Sequence, residues 1–504
     1  MKLSALIAGG ESRWVAGDRD PEIRGLAYDS RRVTAGELFF ATTREPAAAQ
    51  AYAEEALNRG ARAVVVRDWA GGGARSAATI IECAHPRQLM GVAASRFFGA
   101  PSRSLDLIGV TGTSGKTTTT YLLKAIFEAA GLSAGILGTI GIFIGAQKLY
   151  SGLTTPESID FESALATMRD QGTRAAAAEI SSIGLAEGRV EELSFRAALF
   201  TNLGRDHLDY HHNAENYFAA KLRLFSEILP RSRHPDPIAV VNGDDPCGAA
   251  VIDATPTAKL SFGLGAERDV RALDAKFGAD GIHATIEACG RRFVIASPML
   301  GEINLRNILG ASAVSVALGI EVAAVAEGVR RCPGAPGRLE AVGGPPGVKV
   351  LVDYAHKPDA LAAVLATLRA LGPRRLVCVF GCGGDRDRGK RPLMGAIAGR
   401  LADLVILTSD NPRSEAPGRI MAEIETGLAA TALKRIDEAA ARNGAGYIFE
   451  PERREAIAIA LRLARPRDTV VIAGKGHEDY QLVGDKRLDF DDRAVVRELI
   501  AARP

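Results

Sequence analysis

The 504-residue chain lacks most of the features that announce a specialised class. Charge of one sign is missing: 62 Lys and Arg stand against 60 Asp and Glu, a formal net charge of +2. That leaves no general case for nucleic acid or an acidic membrane as partner, although a local anion site stays open. No stretch approaches the roughly 18 apolar residues of a transmembrane helix, so membrane insertion is not expected. The N-terminal "MKLSALIAGG" faintly resembles a secretory leader, but its apolar run is short, Glu11 and Arg13 follow at once, and no small-x-small cleavage site appears. A first amphipathic helix is expected there. The six cysteines (Cys83, Cys247, Cys289, Cys332, Cys378, Cys382) form no CxxC pair, and Cys378 and Cys382 are too far apart for the usual zinc spacing. Buried, reduced thiols in a cytoplasmic protein are the expectation. Low-complexity tracts and short-period repeats are also missing. At 47% hydrophobic and 24% charged residues, the composition is that of an ordinary globular protein, and the length calls for two to four domains.

What the chain does have is punctuated rhythm. Residues 1–102 mix short strands ("ARAVVVRDW", "ATIIEC") with alanine-rich helical runs, and "APSRSL" at 100–105 reads as a linker. From "LDLIGVTG" onward, apolar strands alternate with helical segments, the βα pattern of a parallel sheet. The Pro and Gly of "RCPGAPGRLE" mark a second boundary, after which the rhythm resumes. Three α/β domains are therefore expected, at 1–102, 103–335 and 336–504. The strands of the last section end in glycines or polar residues, where open α/β sheets bind their ligands.

The strongest signal is "LIGVTGTSGKTTTTYLLKAIF". A buried strand, Leu107 to Val110, runs into a glycine-rich turn and a helix beginning near Lys116. Gly112, Thr113, Ser114 and Gly115 can aim backbone N–H groups at phosphate oxygens, and the helix N-terminus adds partial positive charge. Lys116 can reach the outer phosphates of ATP; the hydroxyl of Thr117, with Thr118 beside it, can ligate Mg²⁺. The spacing is not the strict GxxxxGK[ST], since five residues separate Gly109 from Gly115. "TRAAAAEISS" places Glu179 where a metal-binding carboxylate belongs beside such a loop, and "FTNLGRDHLDYH" offers His207 as a further ligand. An Asn-Lys-x-Asp element for reading guanine is missing, which disfavours a GTPase.

A different question comes from "LVILTSDNPRSE". An apolar strand stops at Asp410, Asn411, Pro412 and Arg413. A turn explains the first three. Taken alone, Arg413 reads as a solvated turn arginine.

Together these motifs resemble the Mur ligase family, ATP-dependent enzymes that build the peptide of bacterial cell-wall precursors. The resemblance covers nearly the whole chain. "GLAYDSRRVTAGELFFA", with Ser30, looks like the family's uridine-nucleotide element; "TGTSGKTTT" is its P-loop; "TTPES", with Thr154 and Thr155, its substrate-contacting turn. "EISS", with Ser182, and "TNLGRDHLDYH" resemble its metal-side segments, and Arg189 a further muramoyl-peptide contact. "YFAAKLRLF" contains Lys221, matching a lysine that becomes carbamylated and then binds metal beside His207. "GEINLRN" brings Asn304 and Asn307 to the adenine side, while Arg338 of "PGRLE" and Asp353 and His356 of "DYAHKP" would reach ribose or phosphate.

The resemblance implies an N-terminal uridine-nucleotide-binding domain, a central P-loop domain with a mostly parallel sheet, and a Rossmann-like C-terminal domain that closes over the nucleotide. Lys116, Lys221 and His207 would be catalytic, Mg²⁺ would be the metal, and a monomer is expected. The implied chemistry is an acyl phosphate formed from a carboxylate and ATP, then attacked by an amine.

Within the family, "DNPR" and "GKGHEDYQ" resemble the branch that joins meso-2,6-diaminopimelate to UDP-N-acetylmuramoyl-L-alanyl-D-glutamate. Diaminopimelate carries a second carboxylate far from the reacting amine, and the arginine fork suits it. Losing such a charge-assisted contact costs ~1.5–3 kcal/mol, and lysine, with an ammonium at that end, would be repelled. Arg391, Asp410, Asn411, Pro412, Gly474 and Glu478 would be companions to Arg413, with Glu478 suited to an ammonium.

Three departures stand out. Ile183 replaces a histidine usual after the Ser-Ser, Glu187 precedes Arg189 where the family has Gln-x-Arg, and "TTREPAAAQ" replaces a glycine- and histidine-bearing loop. A folylpolyglutamate synthetase would share the P-loop and the modified lysine but lack "DSRRVTAGELFFA" and "DNPR". A nucleotide switch would leave the strand-end carboxylates without a task.

Overall fold

The computed structural model describes residues 1–18, 20–70, 78–145, 147–149 and 152–502. Apolar runs that stop at glycine or a polar residue fold as strands of three mostly parallel sheets, giving the α/β class expected. The first sheet runs Arg13–Ala16, Thr79–Glu82, Ala63–Val66, Glu37–Phe40, Gly25–Ala27, antiparallel only at its first pairing.

The second has eleven strands. Its centre is a parallel block in the order Ala258–Gly263, Ile238–Asn242, Ala197–Phe200, Asp106–Thr111, Ala175–Glu179, Ala134–Gly138. Strands covered on both faces read as unbroken apolar runs, and the all-buried Ala175–Glu179 goes further by using only alanine before its terminal acid. Those small side chains let helix Lys116–Ala129 pack closely on the strand.

The third sheet runs Glu340–Gly343, Lys349–Asp353, Thr469–Ala473, Leu376–Phe380, Leu404–Leu407, Gly446–Phe449. A separate hairpin pairs Tyr480–Val483 with Lys486–Asp489. By contact the chain forms two compact units: Met1–Leu273 with Thr285–Val294 and Arg306–Val329, and Asp274–Ala284 with Ile295–Leu305 and Arg330–Pro504.

Three expectations change in detail. The first helix, Leu3–Ile7, is present but lasts five residues, burying Leu3, Leu6 and Ile7. "APSRSL" is not a solvated linker: Pro101 and Ser102 are buried in a 3-10 turn, and Ser102 Oγ accepts from Ser194 N at 3.1 Å. The thiols are free as expected, but Cys289 is exposed and Cys247 only half-buried. Among the described residues no helix is long and apolar enough to cross a membrane.

Two buried charges have opposite standing. In the second unit Arg453 is fully buried and pairs with Asp492 at 2.8 and 2.7 Å, while also donating to Ser409 O and Ala473 O, both at 3.1 Å. It thus ties together the ends of two strands whose following loops carry "DNPR" and "GKGHEDYQ". In the first unit Glu162, on helix Ser158–Asp170, is buried beside Ser95, with neither carboxyl oxygen hydrogen-bonded in ordinary geometry. Burial pushes its carboxyl up to about 8, with Ser95 opposing and Glu192 adding to the rise.

Removing one partner of a buried pair strands the other charge, so Arg453→Met is expected to cost ~3–5 kcal/mol, read as a lower denaturant midpoint. For Glu162 the folded state holds a proton that the unfolded chain releases near its ordinary 4.5. Stability present below that pH is therefore lost as pH rises through about 8. Glu162→Gln should melt like the parent at acid pH and several degrees higher at pH ~9. Equal melting curves at alkaline pH would contradict the assignment.

Candidate active site

The turn after Asp106–Thr111 has a backbone that only glycine satisfies. Gly112 has φ +143° and Gly115 φ +87°; a Cβ on the first would overlap Thr201 Oγ1, on the second Asn307 Oδ1. A neighbouring loop holds the turn open. Ser114 N donates to Asn202 Oδ1 and Thr113 N to Asn202 O, both at 2.9 Å, and Thr201 Oγ1 donates to Ser114 O at 2.6 Å. Thr113 Oγ1 lies 2.9 Å from Tyr217 Oη. Lys116 Nζ donates to Gly112 O and Thr113 O at 2.8 and 3.1 Å, and Thr117 and Thr118 are buried in the first helical turn. The N–H groups of Thr113 and Ser114, expected to aim at phosphate, are instead taken up by Asn202; what the turn offers an anion is the N-terminus of a fourteen-residue helix with Lys116 beside it.

Glu179 ends the adjacent strand, in register with Val110. Only 1% exposed, it accepts from Thr117 Oγ1 at 2.9 Å, Thr139 N at 2.9 Å and Thr139 Oγ1 at 3.0 Å. A hydroxyl and a carboxylate this close to the turn are hard oxygen donors of the kind that would fit Mg²⁺.

Lys221, on helix Ala214–Arg223, does not snorkel to solvent. It is 2% exposed, its Nζ donates to Gly112 O at 2.9 Å, and that nitrogen lies 4.7 Å from the Tyr217 ring centre. Burial, then the charge of Lys116, holds its amine well below the ordinary lysine range. His207 has φ +51° at the start of a one-turn helix, with its side chain 40% exposed and Nε2 3.5 Å from Asp206 Oδ2. Its ring centre lies 6.3 Å from that of Tyr217. Among the described residues no group of three or more His, Cys, Asp or Glu could hold a metal.

Three of the muramoyl-peptide candidates, Thr154, Thr155 and Arg189, are linked to Glu179 through Thr139 or through its backbone carbonyl. Thr154 Oγ1 is 3.1 Å from Thr139 Oγ1, Thr155 Oγ1 donates to Glu179 O at 2.8 Å, and Arg189 Nη1 donates to Thr155 O at 3.1 Å. Buried Ser182 has its Oγ 3.0 Å from His211 Nε2. Ser30 stands apart, donating from Oγ to Glu55 Oε2 at 2.7 Å.

In the second unit the polar ends of adjacent strands line up. Asp353 and Ala473 are in register, as are Phe380 and Leu407. Asp353 accepts from Leu339 N and Ala355 N at 2.7 and 2.8 Å, and burial raises its carboxyl while Arg338 opposes. Arg338 stacks over Tyr354 at 4.7 Å. Burial pushes the His356 imidazole down to about 4. Helix Gly301–Ala317 carries both Asn304, which donates to Leu300 O at 2.9 Å, and Asn307, three residues on.

Beyond Leu404–Leu407, Asp410 and Asn411 are buried. Asn411 Nδ2 donates to Glu478 Oε2 at 2.9 Å, and Lys475 Nζ lies 3.2 Å from both Asn411 Oδ1 and Glu478 Oε2. Burial raises the Glu478 carboxyl, with Lys475 opposing. Gly474, at φ +119°, would press a Cβ to 2.6 Å from Asp410 Oδ2. Pro412 is buried, and Arg413 follows at φ +52°, donating through Nη1 to Gly384 O at 2.8 Å. Arg391 is wholly buried, its Nη atoms bound to Glu415, Glu423 and Gly383 O, so it braces these loops.

Sequence reading missed Asn202, Tyr217, Lys475 and Arg453. Tyr217 sits four residues before Lys221, one turn away on the same helix face, and Lys475 lies inside "GKGHEDYQ". Nothing in the sequence marked Arg453.

A braced glycine cradle, a strand-end acid and a second α/β unit with polar strand ends define a nucleotide-dependent α/β enzyme class. Residues 110–315 match the Mur ligase middle domain, and residues 337–476 the Mur ligase, glutamate ligase domain. The UDP-N-acetylmuramoyl-L-alanyl-D-glutamate--2,6-diaminopimelate ligase of Geobacter sulfurreducens is 42% identical over 506 residues, covering 100% of this chain and 98% of its own. That of Solibacter usitatus is 43% identical over 479 residues, covering 95% and 94%. A solved structure of a ligase of the same name aligns with TM-score 0.68 at 36% identity, covering 95% of each chain. The chain belongs to the Mur ligase family.

Gly115→Ala places a methyl against Asn307 on a left-handed backbone and is expected to weaken ADP binding at least about tenfold by calorimetry, with a melting temperature a few degrees lower. Unchanged binding would mean that the turn is not the phosphate cradle.

Proposed function

We propose that this chain joins meso-2,6-diaminopimelate to the D-glutamate of UDP-N-acetylmuramoyl-L-alanyl-D-glutamate with ATP, a step of peptidoglycan precursor synthesis. The observation that carries this reading is the turn Asp410–Arg413, with a fixed guanidinium on one side and a Glu478–Lys475–Asn411 network on the other. Such a site offers a cation to a carboxylate and an acid to an ammonium, the two groups at the remote end of diaminopimelate. Full-length relatives bearing this activity in their names support the same substrate pair.

We assign residues 1–102 to the uridine-nucleotide donor, 103–335 to ATP and 336–504 to the amino acid. Lys116 and the helix N-terminus hold the triphosphate, and Thr117 with Glu179 would hold Mg²⁺, which when bound supplies charge neutralisation as one anion approaches another. Asn304, Arg338, Asp353 and His356 are the second unit's candidates for contacting a nucleoside, and Asn307 is the first unit's. Ser30, Thr154, Thr155, Ser182 and Arg189 orient the donor so that its γ-carboxylate meets the terminal phosphate and becomes an acyl phosphate.

Lys221 is suited to its modification. Burial lowers the amine's affinity for a proton, which favours the neutral form whose lone pair attacks CO₂, and loss of a proton from the product leaves an anionic oxygen ligand. His356, neutral above about pH 4, is a hydrogen-bonding group at working pH and not a cation. A soluble cytoplasmic monomer fits this role.

Phosphate release from ATP, measured with the UDP-dipeptide and either meso-diaminopimelate or L-lysine, tests the reading. Turnover is expected with diaminopimelate alone. Arg413→Ala should raise the KM for diaminopimelate about ten- to hundredfold, the equivalent of ~1.5–3 kcal/mol. Turnover with lysine would overturn the assignment of Arg413, and turnover that ignored the amino acid would overturn the ligase.

A further inference from the structure

Arg189 shares its surroundings with two carboxylates and a second arginine. Arg87, on the first turn of helix Pro86–Phe97, ion-pairs through Nη1 with Glu157 and places Nε 3.1 Å from Glu187 Oε2. Glu157 Oε1 in turn lies 3.1 Å from Arg189 Nε. Tyr210 Oη donates to Glu187 Oε1 at 2.5 Å, and Arg44 Nη2 approaches that oxygen to 3.8 Å.

The four inner side chains are shielded, at 22% exposure for Arg87, 9% for Glu157, 16% for Glu187 and 11% for Arg189, whereas Arg44 is 80% exposed. Burial raises the Glu187 carboxyl, but the Tyr210 hydroxyl and Arg87 outweigh it and hold the group below its ordinary range, so it is charged at neutral pH.

The charges of this shielded cluster balance only because Arg87 is there. Without it, two carboxylates face the single guanidinium of Arg189. A donor carrying a diphosphate and two carboxylates would then meet repulsion where it needs attraction. The same contacts reach further: Arg189 holds Thr155 O, Thr155 Oγ1 holds Glu179 O, and Glu179 accepts from Thr117 of the phosphate cradle.

We propose that Arg87 is a positioning residue for the reaction: together with Arg189 it balances Glu157 and Glu187, so that the cluster presents no net negative charge to an acidic group of the donor, and it fixes the Thr154–Thr155 turn. The inference rests on the reading of the donor given above.

Steady-state kinetics on the parent, Arg87→Ala, Arg87→Lys, Glu187→Gln and the double variant Arg87→Ala/Glu187→Gln test it. Arg87→Ala is expected to raise the KM for the UDP-dipeptide about tenfold, less so in high salt, with the KM values for ATP and diaminopimelate within about twofold of the parent. Removing the surplus negative charge in the double variant should recover most of the loss, which a merely structural brace would not do. Arg87→Lys, which keeps the charge, should stay near the parent even if the alanine variant folds poorly. An unchanged donor KM in Arg87→Ala, a double variant no better than the single, or a lysine variant as impaired as alanine would each overturn the proposal. A parent without donor-dependent turnover would overturn the ligase reading beneath it.

Discussion

Taking a carboxylate out of water is costly unless its lone pairs are met, and the hydrogen bonds that Glu179 accepts from Thr117 and Thr139 come from neutral groups. A threonine hydroxyl from the cradle helix, and a hydroxyl and an amide from Thr139, satisfy its oxygens while leaving its charge intact. This one requirement organises the middle of the chain. Gly138 must lack a side chain because a Cβ there would overlap Glu179 Oε1. The alanines before it let the cradle helix settle against the strand. Its own carbonyl anchors Thr155, and through Thr155 and Arg189 the shielded arginine–glutamate cluster. The acid is therefore both a hub of neutral hydrogen bonds and a charge whose named partners do not cancel it.

The second unit solves a similar problem with an opposite device. Arg453 is a cation met by a full anion, Asp492, and by two carbonyls at the ends of separate strands. A guanidinium can serve four acceptors at once because its donors diverge in a plane. The loops it steadies hold Asn411, Lys475 and Glu478, polar groups desolvated together and satisfied by one another. Arg391 does the same for the loops on the other side, between Glu415 and Glu423.

Elements with a strong local rule were legible in the sequence. The strand into Gly112, the helix from Lys116, the acid at Glu179 and the strand stopping before Asp410 are each dictated within a dozen residues. What escaped was decided by contacts distant in sequence. Asn202 braces the cradle from some ninety residues away, and Arg453 reaches Asp492 39 residues on. Ser102 looked like linker because its partner, Ser194, is remote. Arg391 carries a signal for charge but none for burial; only the fold shows that glutamates surround it.

Arg413 combines two demands that no other residue type meets together. Its backbone lies in the left-handed region, at φ +52°, where glycine and asparagine are at ease and a long side chain is not. Its guanidinium is held beside Gly384 O. Replacement by either relaxed residue would ease the main chain while discarding the fork and its hydrogen bond to Gly384 O, so the position sets backbone strain against a side-chain contact. On the proposed reading of this turn, a change of diamino acid would begin with a substitution that relieves strain in the main chain.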